Sequence, residues 1–325
     1  MYSLDELSRM TETGIGELEF PARPERLYRP VRYTLESGGK RVRPLLTPAS
    51  CLLFTDRAEK ALPAAMGIEV FHNFTLLHDD IMDRAELRRG RPTVHSRWND
   101  NVAILSGDAM VVCAYDLISR SEPDKLAPIL RVFNALALGV CEGQQYDMDF
   151  EETEGVTVER YIEMIRLKTS VMVGGAARIG AIAGSAPQRE EERLYDFGVN
   201  LGLAFQLQDD VLDTYGDEKT FGKQIGGDIV TNKKTFLLIR ALELAKGGTK
   251  NYLQRLLSGK EQKTREGKIA AVRAVYDAVG VRELAEREIE RYFDRAETLL
   301  GEVEVPEARK GPMREIMHLL VKRNK

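Results

Sequence analysis

Apolar positions along this chain recur mainly at helical spacing, and alternating strand patterns are scarce. The stretch from Ala61 to Asp83 is apolar on more than one side, the pattern of a helix buried in a core. The same periodicity predicts helices over residues 101–121, 124–147, 158–183 and 190–214, and further ones at about 232–246, 264–277, 279–301 and 306–322. Three polar segments interrupt them: Arg84–Asn101, Asp149–Thr157 and Thr214–Asn232. No Gly/Ser/Pro-rich linker separates the helices, so the pattern predicts one all-α domain over residues 1–325.

Two predicted helices end alike. One closes on Asp79-Asp80-Ile81-Met82-Asp83 and the other on Asp209-Asp210-Val211-Leu212-Asp213. Asp79 and Asp83 are four residues apart and share a helix face, as do Asp209 and Asp213. Like charges at that spacing repel, and acids at a helix C-terminus oppose its dipole. Solvated helix ends would tolerate this. Two such triplets, each closing an apolar helix and each followed by a basic loop, point instead to a compensating cation. Oxygen ligands without His or Cys in the motif suit a hard ion such as magnesium, which characteristically bridges carboxylates to substrate phosphates.

Charge and composition refine this picture. The chain has 325 residues, 43% hydrophobic and 30% charged, with a formal net charge of −4 that gives no overall basic footprint for nucleic acid. Basic residues are instead clustered. Gly38-Gly39-Lys40-Arg41-Val42-Arg43-Pro44 combines glycines that admit close backbone approach with side chains suited to phosphate oxygens. It lacks the spacing of a Walker loop. Arg88-Arg89-Gly90-Arg91-Pro92 follows the first acidic motif, Lys168-Thr169-Ser170 lies mid-chain, and Lys223 and Lys233 flank the GGDI segment after the second motif. Each cluster alone reads as a solvated face; the set suggests room for two anionic groups. The apolar runs fall short of the roughly 18 residues of a membrane span. Cys51, Cys113 and Cys141 are few, odd in number and widely spaced, fitting reduced core thiols better than a disulfide frame or zinc site. The polar start of the chain lacks a signal-peptide pattern, so a cytoplasmic location without stable membrane insertion is expected.

Taken in order, GGKRVRP, LLHDDIMD, RRGRPTVH, Gly107-Asp108, Lys168-Thr169-Ser170, FQLQDDVLD and the GK, GGDI and NK segments resemble the trans-prenyl diphosphate synthases over roughly residues 20–245. The chain beyond about residue 245 carries no recognisable motif. The resemblance implies an all-α bundle around a deep central cavity, with the acidic motifs facing each other at its mouth. It implies that Asp79, Asp80 and Asp83 hold magnesium on an allylic diphosphate, that Asp209 does the same with support from Asp210 and Asp213, and that three ions serve each site. Arg88, Lys168, Lys223 and Lys233 would grip that diphosphate. Lys40, Arg43, His72 and Arg89 would hold isopentenyl diphosphate; His72 sits about two turns before Asp79 on nearly the same face. Thr169 and Gln206 would neighbour the reacting carbons.

The reaction implied is head-to-tail 1'-4 condensation of isopentenyl diphosphate with allylic diphosphates. Product length would be set beside the helix ending at Asp79, where each isoprene needs about one 5.4 Å turn. Phe74, with the small Thr75 beside it and Phe71 a turn below, resembles the arrangement that gives geranylgeranyl diphosphate (C20); farnesyl diphosphate (C15) is the alternative. A terpene cyclase would carry a different second motif, a head-to-head squalene-type synthase fits the motifs poorly, and a non-catalytic regulatory subunit would have lost one aspartate triplet. The family is usually homodimeric, and 101–121 would serve equally as interface or core.

Overall fold

The computed structural model of the protein describes residues 2–216, 225–261 and 263–321. The chain divides into two compact units, one of residues Met1–Leu136, Met172–Gly198 and Leu299–Lys325, the other of Ala137–Val171 and Val199–Thr298. Both are helical, and among the described residues the only sheet is a two-stranded ribbon.

The first unit is organised on α4 (Leu62–Met82), preceded by α1 (Leu4–Gly16), α2 (Glu25–Leu35) and α3 (Val42–Cys51). Polar stretches and prolines conceal these three helices from a periodicity reading. A capping box between Ser3 and Glu6 starts α1, which buries Leu7 and Ile15. Helix α4 buries Ala64, Ala65, Ile68, Val70, Phe71 and Leu77, as its all-round apolar pattern requires.

After α4 the polar segment forms a hairpin, β1 (Leu87–Arg88) with β2 (Arg91–Pro92), then α5 (Val94–Arg97) and α6 (Asp100–Ser119). The hairpin turns on Arg89 (φ 52°) and Gly90 (φ 74°), both left-handed, as a tight two-residue turn demands. Arg-Gly in place of the usual Asn-Gly hid that turn. Close packing of α6 on α4 depends on Gly67, where a Cβ would lie 2.5 Å from Ile118 and 2.8 Å from the Ala114 carbonyl. Helix α6 is therefore neither wholly core nor wholly surface. Ala103, Met110, Ala114 and Ile118 face inward, while Ile104, Leu105, Val112 and Tyr115 are exposed.

Helix α7 (Pro123–Glu152) runs further than the periodicity predicts. The single helix expected over 158–183 is α8 (Val158–Ile165), a π-turn at Arg166–Ser170 and α9 (Val171–Ala183). In the second unit, Gly143 of α7 and Gly202 of α10 (Gln188–Tyr215) abut that π-turn; a Cβ would lie 2.6 Å from Lys168 Cα and 2.7 Å from Ser170 Cα respectively. These glycines give the widened turn room, and such turns recur at functional sites.

The second unit continues with α11 (Gly227–Thr231), α12 (Phe236–Leu244), α13 (Gly247–Leu257), α14 (Arg265–Val279) and most of α15 (Val281–Gly301). In the first unit, α16 (Glu307–Val321) places Arg309 against the Leu52 and Thr55 carbonyls, 2.9 and 3.0 Å away, beyond the end of α3.

All three cysteines are free, but only Cys51 is a core thiol; burial pushes it up to about 12. Cys113 is half-buried, and Cys141 lies on the outer face of α7, correcting the expectation that all three are internal. Helices α6 and α7 are long and apolar enough to cross a membrane, with mean hydropathy of 1.6 and 1.4, because clustering of uncharged residues rather than an unbroken apolar run sets that average.

Candidate active site

In the first unit the end of α4 presents Asp79 half-buried and Asp83 exposed, with Asp80 buried between them. The hairpin brings Arg88 Nε within 2.7 Å of Asp80 Oδ1. Burial pushes the Asp80 carboxyl upward and the Arg88 charge opposes it. Asp80 thus commits one oxygen to positioning Arg88.

A second cluster surrounds the Gly38-Gly39-Lys40-Arg41-Val42-Arg43 turn. Gly39 has φ 134°, and a Cβ there would lie 2.7 Å from the Arg89 guanidinium carbon. Arg89 donates to the Gly38 carbonyl and to Ser37 Oγ. Arg41 turns inward with φ 48° and pairs with Glu69 at 2.5 Å, both side chains below a tenth exposed. Asn73 Nδ2 donates to the same Glu69 oxygen at 2.8 Å. A buried charge needs such partners, so this network fixes the turn to α4. Sequence reading passed over Glu69 and Asn73; an acid inside an apolar helix was their signal.

Arg43 Nη1 lies 3.2 Å from His72 Nε2, which must accept because a guanidinium only donates. Burial, then the charges of Arg43, Arg89, Arg88 and Arg41, hold His72 well below its ordinary value, so its ring is neutral at pH 7. Burial likewise lowers Arg89, and the nearby Arg41 and Arg88 charges act in the same direction. An anion would relieve this crowding of positive charge. Lys40 is exposed at the rim of the turn.

Beside these groups an aromatic row descends α4. The Phe74 ring is 4.7 Å from His78 and 5.3 Å from Phe71; Phe71 meets Phe133 at 5.2 Å, and Phe133 meets Tyr115 at 5.1 Å. Phe74 and Thr75 are half-buried, whereas Phe71 is core. Thr75 Oγ1 donates to the His72 carbonyl.

In the second unit Asp209 and Asp213 are half-buried on one face of α10, and Asp210 is buried. Tyr161 donates its hydroxyl proton to Asp210 Oδ2. Gln206 Nε2 donates to Asp210 Oδ1 at 3.4 Å, and Thr169 Oγ1 to Gln206 Oε1 at 3.2 Å. Burial and the Asp228 carboxylate push Asp210 up to about 8, against the pull of Tyr161 and Lys233. The backbone N–H of Asp228 donates to Asp213 Oδ2 at 3.0 Å.

Lys168, on the π-turn, and Lys233 both reach Asp147 Oδ2, at 2.6 and 3.4 Å. Burial alone would raise Asp147, but the two lysines hold it below the usual carboxylate range. Asp147 and Tyr161 were not anticipated from sequence, because their partners lie 21 and 49 residues away in the chain. Lys223 lies outside the described residues.

The polyprenyl synthetase family matches residues 24–276. The chain belongs to that family. It is a short-chain trans-prenyltransferase. This polyprenyl synthetase is 41% identical over 247 residues to the short chain isoprenyl diphosphate synthase of Methanocaldococcus jannaschii, covering 76% of this chain and 75% of that one. It is 36% identical over 305 residues to the geranylfarnesyl diphosphate synthase of Aeropyrum pernix, covering 92% and 93%. A solved geranylgeranyl pyrophosphate synthase superposes with a TM-score of 0.94 at 41% identity, covering 100% of both chains. These neighbours share the all-helical fold expected from the periodicity.

The polyprenyl synthetases use divalent metal ions. The donors here fit such an ion. Asp79 with Asp83, and Asp209 with Asp213, offer carboxylate oxygens at four-residue spacing, and the described residues contain no cluster of three or more His, Cys, Asp or Glu converged on a point. A cation that keeps its waters and completes its shell with substrate phosphate matches that sparse donor set better than one requiring a protein cage.

Proposed function

We propose that this polyprenyl synthetase condenses isopentenyl diphosphate with allylic diphosphates, head to tail, and releases mainly geranylgeranyl diphosphate. One observation carries the reading. The first unit holds a crowded cationic turn, centred on Arg43, His72 and Arg89, in addition to the acidic end of α4. A diphosphate held directly by cations and one held through a metal are the two substrates such a condensation needs.

Residue roles follow. Asp79 and Asp83, with Asp80 steering Arg88, would hold magnesium and the allylic diphosphate. Asp209 and Asp213 would also hold magnesium, supported by Asp210, with three ions per site as the family resemblance implies. Lys168 and Lys233, both paired with Asp147, would bind the departing diphosphate; Lys223 is assigned with them on its motif. Lys40, Arg43 and Arg89 would hold isopentenyl diphosphate, with neutral His72 aiming Arg43.

When bound, magnesium supplies positive charge against the growing charge of the leaving group. The Lys and Arg side chains add to that stabilisation in a fixed geometry. As the allylic C–O bond breaks, the isopentenyl double bond, already aligned, attacks the cation. Thr169 and Gln206, hydrogen-bonded to each other, would neighbour the reacting carbons as the resemblance implies, and the released diphosphate would take the proton lost from the product. The C20 assignment rests on Phe74 as a half-buried aromatic beside the small Thr75.

Purified protein incubated with isopentenyl diphosphate and C5, C10 or C15 primers, with and without magnesium, tests this reading. Magnesium-dependent release of diphosphate and a C20 alcohol after dephosphorylation are expected. A C15 or C25 end product would retain the chemistry and overturn the length assignment. No elongation from any primer by folded protein would overturn the chemistry itself.

We propose further that residues 1–325 act as one cytoplasmic catalytic domain and that the enzyme is a homodimer joined through α6. Support comes from Ile104, Leu105, Val112 and Tyr115, large apolar side chains exposed on one face of α6, since a cluster of exposed apolar side chains marks an interface. Val112, 69% exposed, would sit near its centre. Val112→Glu is expected to halve the mass measured by light scattering while leaving the helical circular dichroism unchanged. An unaltered mass would exclude α6 as the dimer face.

A further inference from the structure

Helix α14 lies beyond residue 245, where the sequence carries no motif, yet it gathers the chain that follows the second acidic motif. Arg265 Nη2 donates to the Ile225 carbonyl at 3.3 Å. Three residues on, Lys268 Nζ donates to the Val230 carbonyl at 2.9 Å and to Asn232 Oδ1 at 2.7 Å. Ile269, the next residue, packs so closely on Gly226 (φ 78°) that a Cβ there would lie 2.6 Å from its Cδ1. Residues three and four apart share a helix face, so one face of α14 grips both ends of α11.

The grip bears on function through Asn232. This residue is left-handed (φ 59°), a conformation that Asn tolerates better than other non-glycine side chains and that its surroundings hold in place. Lys268 secures it through Oδ1, and its Nδ2 donates to the Leu257 carbonyl at 3.1 Å. The turn sets the next residue, Lys233, whose backbone N–H donates to the Asp228 carbonyl at 2.9 Å and whose Nζ reaches Asp147. The Asp228 N–H in turn holds Asp213.

We propose that Lys268, assisted by Arg265, is a positioning residue for the allylic diphosphate: it locks the Asn232 turn and thereby aims Lys233. This rests on the reading of Lys233 as a ligand of that diphosphate. Lys268 touches no reacting atom, and burial lowers its own affinity for the proton, the cost of using a lysine as an internal tie. The short α11 cannot hold its own geometry, which is why the tie comes from a longer, capped helix; Thr264 Oγ1 caps α14 by accepting from Gly267 N–H.

The test is steady-state kinetics on Lys268→Met, Lys268→Arg and Lys233→Ala in the full chain, with geranyl diphosphate and isopentenyl diphosphate varied in turn. Lys268→Met is expected to raise KM for geranyl diphosphate about tenfold, the scale of one misplaced charge-assisted contact. Its kcat should fall as well, because Lys233 meets the leaving group, while its KM for isopentenyl diphosphate should stay within about twofold; Lys268→Arg, which can donate to both acceptors, should regain most of the loss. If Lys233→Ala raises the allylic KM and Lys268→Met does not, the positioning role is wrong while the role of Lys233 stands. If neither variant moves it, the Lys233 reading falls and takes this proposal with it. Equal losses in kcat and both KM values would mean that Lys268 only stabilises the fold. Should Lys268→Met fail to fold, Asn232→Ala removes the same acceptor and disfavours the same turn, and must show the same KM split.

Discussion

Replacing Asp79 or Asp83 by Asn is expected to reduce turnover about 10³-fold at saturating substrates, a typical loss when a preorganised electrostatic contribution to a transition state is removed. Excess magnesium should not restore it. The same substitution at Asp83 should leave the magnesium-free protein as stable as before or more so. Asp83 is exposed, caps the C-terminal end of α4 and lies one turn from Asp79. A negative charge there opposes the helix dipole and a like charge, so neutralising it contributes roughly 0.3–1 kcal/mol at low salt. Diphosphate release and thermal melting in chelator measure the two effects on one preparation. Loss of turnover together with an unchanged or raised melting temperature identifies a carboxylate retained for its ligand. Turnover within about tenfold of the parent protein would show that Asp83 does not belong to the metal site. A parallel fall in stability would show that its role is structural.

Asp80 and Asp210 should behave differently. Each is the buried middle member of its triplet, and each is already engaged, Asp80 by Arg88 and Asp210 by Tyr161 and Gln206. The triplets look equivalent in sequence because the spacing of identical side chains says which share a face and not which face is buried. The outer pair of each triplet and its place at the end of an apolar helix were legible, since a 3.6-residue period determines both. The supporting groups were not. Glu69, Asp147 and Tyr161 act through tertiary pairs, and nothing local marks them beyond a polar group within an apolar helix.

The backbone shows the same division. Helices α4, α6 and α10 are long and strongly patterned, so their existence and approximate ends follow from sequence. The π-turn at Lys168 does not, because it depends on Gly143 and Gly202 leaving space on both sides of an otherwise regular helical pattern. The hairpin at Arg89 required an arginine at positive φ, where statistics favour Asn or Gly, and its compensation lies elsewhere in the fold, in the docking of that guanidinium on Ser37 and Gly38. In each case a side chain proposed to bind diphosphate sits where local preference is overruled by packing, as expected where a backbone is shaped for a ligand.

Product length offers the other large effect. Phe74→Ala is expected to shift the main product by one isoprene unit, from C20 to C25, with little material beyond. The argument is one of lengths. Phe71 and Phe74 are separated by three residues, about 4.5 Å of helix rise, and an added isoprene extends a chain by about 5 Å. Truncating Phe74 therefore opens room for about one unit before the tail meets the next aromatic layer, where Phe71 packs edge-on against Phe133 and Phe133 against Tyr115. Phe71→Ala alone should behave otherwise. Phe71 is only 3% exposed, so its loss should appear mainly as about 3–5 kcal/mol of destabilisation, with C20 still the product because Phe74 remains above it. The double variant, if it folds, should pass C25. Product alcohols resolved by chain length, alongside urea midpoints for each variant, separate these outcomes. An unchanged C20 profile in folded Phe74→Ala would mean that the tail does not run beside this face of α4.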